Sequence, residues 1–180
     1  MTKPTYGVFA ASLAAWLLFD QITKGITTTY FRLGEETQII EGWLSWTHAQ
    51  NTGAAFSSLD GAYWLFLGFG FVATLVVGDL LRRLRSHDFF TAFVLAMVLS
   101  GAWGICLDRI RLGHVTDFIR VYTEHPDLAP WFVDRFGTAT WPIFNIADSA
   151  LLVGLTLYLA HYLFLEDTDE DLVDEEFLVG

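Results

Sequence analysis

The stretch FFTAFVLAMVLSGAWGICL, Phe89 to Leu107, runs nineteen residues between Asp88 and Asp108 without a charge. As a helix it is roughly 28 Å long, close to the ~30 Å hydrocarbon thickness of a bilayer. Three more uncharged windows flank it: Pro4–Phe19, Gly61–Gly78 and Ser149–Leu165. The first is short, and its helix is expected to run on into Asp20–Lys24. Only 17% of the 180 residues are charged and 53% are hydrophobic, a balance that belongs in lipid rather than in a water-soluble domain. Disorder, low-complexity linkers and a disulfide scaffold are excluded by the same composition, and the single Cys106 forbids an internal disulfide. The expected fold class is an all-α membrane protein with four transmembrane helices, at about 4–24, 61–80, 89–107 and 146–165. These make one domain, 1–165, followed by a tail, 166–180.

That tail carries eight of the eleven net negative charges, among them Glu166, Asp167, Asp169 and Glu170. Such a run reads as a solvated cytoplasmic tail and says little about substrate. Nucleic acid is excluded as a partner because no basic stripe exists. A cleaved signal peptide is an alternative for the first window, with Lys3 as its basic region and Ala10–Phe19 as its core. No small-x-small site sits between that core and Asp20, so a retained helix is the better reading.

Four spans put both termini on one side together with the Asp79–Asp88 turn. The other side holds two long segments, 25–60 and 108–145. Arg82, Arg83 and Arg85, with Lys3 nearby, are denser than the cations spread through the long segments, which places the short turn in the cytoplasm. Within the first long segment, Thr37–Ile40 and Trp43–His48 flank Glu41–Gly42 and predict a hairpin. Trp43, Trp46 and Trp64 suit the headgroup zone.

Alternation of the spans brings Asp20, Asp60, Asp108 and Asp148 to one face, joined by Asp117 from its loop. Asp60–Gly61 reads as a turn and helix cap. Asp148 lies in an apolar stretch entering a helix, and Asp117 sits between apolar residues expected to dock on the bilayer surface. Carboxyls at membrane depth are costly and mark functional sites. Two brought together cannot both ionise cheaply, so one can activate water while the other donates a proton, the apparatus of aspartyl hydrolysis.

Other chemistries find less support. A Ser/Lys protease needs a deprotonatable lysine, but Lys24 has Asp20 one turn away. His48, His87, His114, His125 and His161 are scattered, without HExxH, and read as polar loop or helix-face residues. Cys106 reads as a small apolar residue. A proton- or ion-handling protein would distribute its acids through the membrane depth, whereas these gather at one face.

Four boxes in order resemble the signal peptidase II (lipoprotein signal peptidase) family: Asp20-Gln-Ile-Thr-Lys24; Asn51-Thr-Gly-Ala-Ala-Phe-Ser57; Gly101-Ala-Trp-Gly-Ile-Cys-Leu-Asp-Arg109 with Gly113-His-Val-Thr-Asp-Phe118; and Phe144-Asn-Ile-Ala-Asp-Ser149. The resemblance implies a bacterial inner-membrane aspartyl endopeptidase without metal or organic cofactor. Such an enzyme removes signal peptides from diacylglyceryl-modified prolipoproteins, cutting before the lipidated Cys at the extracytoplasmic face. It implies Asp117 and Asp148 as the catalytic dyad. Asp20, Lys24, Asn51, Gly53, Arg109 and Asn145 would support the site or hold substrate. It further implies a small β-rich extracytoplasmic cradle, contact with membrane lipids, inhibition by cyclic peptides of the globomycin type, and a monomer. Lys24 can pair with Asp20, Asn51 and Asn145 can bond a substrate backbone, Gly53 leaves room for a chain or lipid, and Arg109 can orient a carboxylate or meet a lipid phosphate. Two departures stand out. Ile105 occupies a position where the family has Asn, and Glu124–Phe136 lengthens the segment between the two catalytic candidates. A non-cleaving or specialised paralogue is the alternative these departures keep open.

Overall fold

Pro4 occupies the first turn of the first helix, where a missing N–H costs nothing, and α1 then runs without a break to Tyr30. The computed structural model describes residues 3–53 and 63–164. Among them the order is α1 (Pro4–Tyr30), β1 (Glu36–Ile40), β2 (Leu44–Asn51), α2 (Tyr63–Arg83), α3 (Phe89–Leu112), β3 (Val115–Val121), α4 (Leu128–Phe136) and α5 (Ile146–Phe164). α1, α2, α3 and α5 are each long and apolar enough to cross a membrane. The Asp60–Gly61 turn and the acidic tail lie outside the described residues.

α3 is the hub, packed against α1, α2 and α5. Its contact with α5 depends on missing side chains. A Cβ on Gly101 would stand 2.5 Å from the Ala147 carbonyl oxygen, and one on Gly104 would stand 2.7 Å from Asp20 Oδ2 and 2.8 Å from Ala147 Cβ. Helix axes and a buried carboxylate share the space those two glycines leave. Lys3 Nζ donates to the carbonyls of Arg82 (3.0 Å) and Leu84 (2.8 Å), so the N-terminus caps the end of α2 at the arginine-rich turn.

Two helices outrun their expected ends. α1 continues past Lys24 through Gly25 and three threonines, because each hydroxyl bonds back into the helix. Thr27 donates to Thr23 O at 2.8 Å, Thr28 to Lys24 O at 3.1 Å and Thr29 to Gly25 O at 2.7 Å. α3 continues past Leu107 to Leu112 because Asp108 and Arg109 turn inward to partners, and Gly113 closes it in the left-handed conformation (φ 78°).

At the same end as these extensions lies a three-stranded antiparallel sheet in the order β1-β2-β3. The hairpin turns at Glu41–Gly42, with Gly42 at φ 72°. β3 is an addition to the expected hairpin. Its Phe118 is 1% exposed and Val115 4%, so the apolar flanks of Asp117 pack inside the protein instead of docking on a bilayer. Trp46 also turns inward, bonding Thr27 Oγ1 through Nε1 at 2.9 Å and stacking on Phe118 at 4.7 Å. It fastens the sheet to the last turns of α1, whereas Trp43 and Trp64 stay exposed. His48 departs from its expected polar exposure: it is buried in β2, donating from Nδ1 to the Phe31 carbonyl at 2.9 Å. The register slips between Trp46 and Ala49, which stand opposite Ile119 and Asp117. This bulge lies beside Asp117, where a local twist re-aims side chains.

Candidate active site

The sheet, α1, α3 and α5 meet around a group of carboxylates. Lys24 Nζ stands 2.9 Å from Asp20 Oδ2 and 3.0 Å from Asp108 Oδ2, all three side chains being at most 5% exposed. Each carboxylate has a second task. Asp20 Oδ1 accepts the backbone N–H of Ala147 at 2.9 Å, in the first turn of α5. Asp108 Oδ2 accepts the N–H of Thr116 at 3.1 Å, at the start of β3. One lysine thus joins the anchors of the two segments that carry Asp148 and Asp117. Gln21 closes the group, donating to Asp20 Oδ2 (3.1 Å) and Asp108 Oδ1 (3.2 Å) while accepting from Arg111.

Asn145 links Asp117 and Asp148 directly. Its Nδ2 donates to Asp117 Oδ1 at 2.7 Å, its backbone N–H donates to Asp148 Oδ2 at 3.1 Å, and its Oδ1 accepts the N–H of Asp148 at 3.0 Å. The last two bonds form a reciprocal cap on α5, satisfying N–H groups that a helix start leaves unpaired. Asn145 is completely buried, so its side chain is committed to the two aspartates and not open to a substrate backbone. Asn51 also hydrogen-bonds Asp117 through its side chain, while its Oδ1 accepts from Gly53 N at 2.9 Å in a tight turn. Unlike Asn145, Asn51 remains exposed at the edge of β2. Gly53 is needed there for its backbone, at φ 68°. The rest of that box, 54–57, lies outside the described residues.

Burial lifts the Asp117 carboxyl to about 6, and the charge of Asp148 pushes the same way; hydrogen bonds from Asn145 and Asn51 and the charge of Lys24 oppose them. Asp117 therefore keeps a proton at pH values where an ordinary aspartate has lost it. The site holds a proton donor, a second carboxyl beside it, and a cation one layer behind. That set can activate water and protonate an oxygen or nitrogen without any further group.

Arg109 takes a different post from Lys24. It is 8% exposed, donates from Nη1 to the Thr52 carbonyl at 2.6 Å, and lies 5.0 Å from the Phe66 ring centroid. It thereby holds the strand end that carries Asn51. Ile105 is half-buried on α3, and none of the contacts described above runs through it. The sequence places Asp108 on the acidic face and Gln21 in the first box, but assigns neither a role in holding the site. The available signal was the convergence of acids at one face, which needs a buried cation and donors to be tolerable.

The family model described as signal peptidase (SPase) II matches residues 12–164. A lipoprotein signal peptidase of Geobacter sulfurreducens is 39% identical over 158 residues, spanning 86% of this chain and 91% of the relative. One from Pseudomonas putida is 37% identical over 184 residues, spanning 97% of this chain and all of the relative. Among solved structures, a bacterial membrane enzyme determined by the in meso method at 1.9 Å superposes with a TM-score of 0.72 at 27% identity, over 88% of this chain and 94% of that one. With the family's pattern matched across most of its length and the acids of that pattern gathered at one end of four membrane helices, the chain belongs to the signal peptidase II family.

Proposed function

We propose that this chain removes signal peptides from diacylglyceryl-modified prolipoproteins, cutting before the lipidated Cys, with Asp117 and Asp148 as its catalytic pair. The observation that carries the assignment is the Asn145 bridge, which holds both carboxyls at the buried junction of β3 and α5. In the reaction, the ionised carboxyl of the pair takes a proton from water as the oxygen attacks the scissile carbonyl. The protonated carboxyl gives its proton to the carbonyl oxygen, producing a neutral tetrahedral diol. Collapse of the diol breaks the C–N bond, the amine leaves with the proton taken from water, and one diol hydroxyl returns its proton to the carboxyl that had lost it. No metal or organic cofactor enters this scheme.

Asp20, Lys24 and Asp108 hold the pair in place, Asn145 bridges it, and Asn51, Gly53 and Arg109 shape the entrance. The dense arginine turn and Lys3 favour a cytoplasmic setting for that end and for the tail, 166–180. The sheet and the dyad then face the extracytoplasmic side of the bacterial inner membrane, where a lipid-anchored substrate presents its cleavage site. The enzyme works as a monomer among membrane lipids, and cyclic peptides of the globomycin type compete for the same cleft.

The test is cleavage of a diacylated prolipoprotein peptide by purified protein in detergent, wild type beside Asp117→Asn and Asp148→Asn. Cleavage by wild type alone supports the pair. Equal cleavage by all three overturns the aspartyl mechanism.

A further inference from the structure

α4 is built from the segment that lengthens the Asp117–Asp148 connection, and it does not fit a soluble surface. Every residue of it except Ala129 is exposed, and among the described residues it packs extensively against no helix or strand. Yet Leu128, Trp131, Phe132 and Phe136 recur at helical spacing on one face, with Trp131 54% and Phe136 64% exposed. The three rings touch one another, at centroid distances of 5.0 Å (Trp131–Phe132), 6.0 Å (Trp131–Phe136) and 5.9 Å (Phe132–Phe136). Arg135 lies along the same stripe, one turn after Trp131, while Asp134 lies off it.

The helix is tethered closely at both ends. Thr123 N–H donates to the Ala139 carbonyl at 3.0 Å, Glu124 N–H to Gly42 O at 3.1 Å and Trp141 N–H to Val121 O at 2.8 Å. These bonds pin it to the hairpin tip, beside the exposed Trp43 and Trp141. The sheet itself is fixed to the ends of α1, α3 and α5, where the lipid-facing ladder of α1 (Leu18, Ile22, Ile26, Tyr30) also ends. Aromatic rings, an apolar stripe and a snorkelling cation at the end of a membrane span match the headgroup–acyl boundary in chemistry.

We propose that α4 is an interfacial anchor, lying in the plane of the membrane with Leu128, Trp131, Phe132 and Phe136 sunk into the boundary of the leaflet that borders the dyad. It steadies the hairpin tip at the depth where a lipid-anchored chain reaches the site. The proposal rests on the membrane helices and not on the cleavage chemistry, so either can fail without the other.

The experiment uses the full chain in nanodiscs whose lipids carry bromine on the acyl chains near the headgroups. The emission contributed by Trp131, taken as wild type minus Trp131→Phe, should lose about half its intensity relative to unbrominated lipid. Independently, in a Cys106→Ala background, a fluorophore on Phe136→Cys should be shielded from an aqueous quencher while one on Asp134→Cys is not. Unquenched Trp131 emission, or equal aqueous access at 134 and 136, overturns the proposal and leaves α4 to cover the cleft or a second copy instead.

Discussion

Asp117 carries a cost that burial imposes on its carboxyl. Its carboxyl, raised by burial to about 6, is held against the ionisation that an unfolded chain would allow near 3.8. A folded value above the unfolded one means that the group favours folding fully below pH 4 and loses that contribution as pH rises through 6. Asp117→Asn keeps an oxygen to accept from Asn145 Nδ2 and never ionises. The variant should be as stable as wild type at pH 4 and more stable by about 1–2 kcal/mol at pH 7.5, after allowance for screening by the open cleft. Thermal unfolding in detergent across that range checks it, and a constant difference would show that Asp117 is not the titrating group. Asp117 was legible in sequence as an acid at membrane depth. Asn145 was legible as a candidate supporting residue but not as the bridge to Asp117, because nothing in its neighbourhood says that its side chain reaches a strand 28 positions away.

At the scale of elements, the decisive contact is α3 against α5. Gly101 and Gly104 bring Ala147 against α3, and Asp148 follows one residue later. Gly101→Ala and Gly104→Ala should each destabilise by about 1–3 kcal/mol, because the new methyl meets backbone or a paired carboxylate that cannot step aside. Gly78→Ala, with nothing within 4 Å of its Cβ, should instead stabilise by about 0.5–1 kcal/mol through helix propensity. Melting temperatures of the three variants test the contrast. The helices were readable from their uncharged windows, but their ends were not. Thr27, Thr28 and Thr29 lie beyond the expected end near Lys24 and act as part of the helix once their hydroxyls find carbonyls. α4 escaped for a related reason: nine residues containing a proline and two glycine-free turns give too short a period to separate from a loop.

Across the whole molecule, the Asp20–Lys24–Asp108 group ties α1, α3, β3 and α5 together through one buried cation. Removing that cation leaves two carboxylates in a dry junction. Lys24→Met should therefore cost about 3–5 kcal/mol and abolish cleavage, while adding Asp20→Asn and Asp108→Asn should recover much of the stability. Unfolding of the single and triple variants measures this, and equal loss in both would show that packing, not charge, is what Lys24 supplies. The coupling holds together a site assembled from three distant segments.

By itself the amino-acid sequence determined that this chain lives in a bilayer, crosses it four times, gathers its acids at one end and belongs with signal peptidase II. Uncharged length, alternation of spans and ordered local boxes are all one-dimensional properties, and lipid enforces them residue by residue. Tertiary structure alone decided the distant partners: Asp108 as the second partner of Lys24, Asn145 between Asp117 and Asp148, Trp46 and His48 folded inward, and α4 left uncovered. Hydrophobic pattern reports which surroundings a side chain prefers. It does not report which of several buried polar groups will meet, because that depends on how closely helices can approach and where a strand bulges.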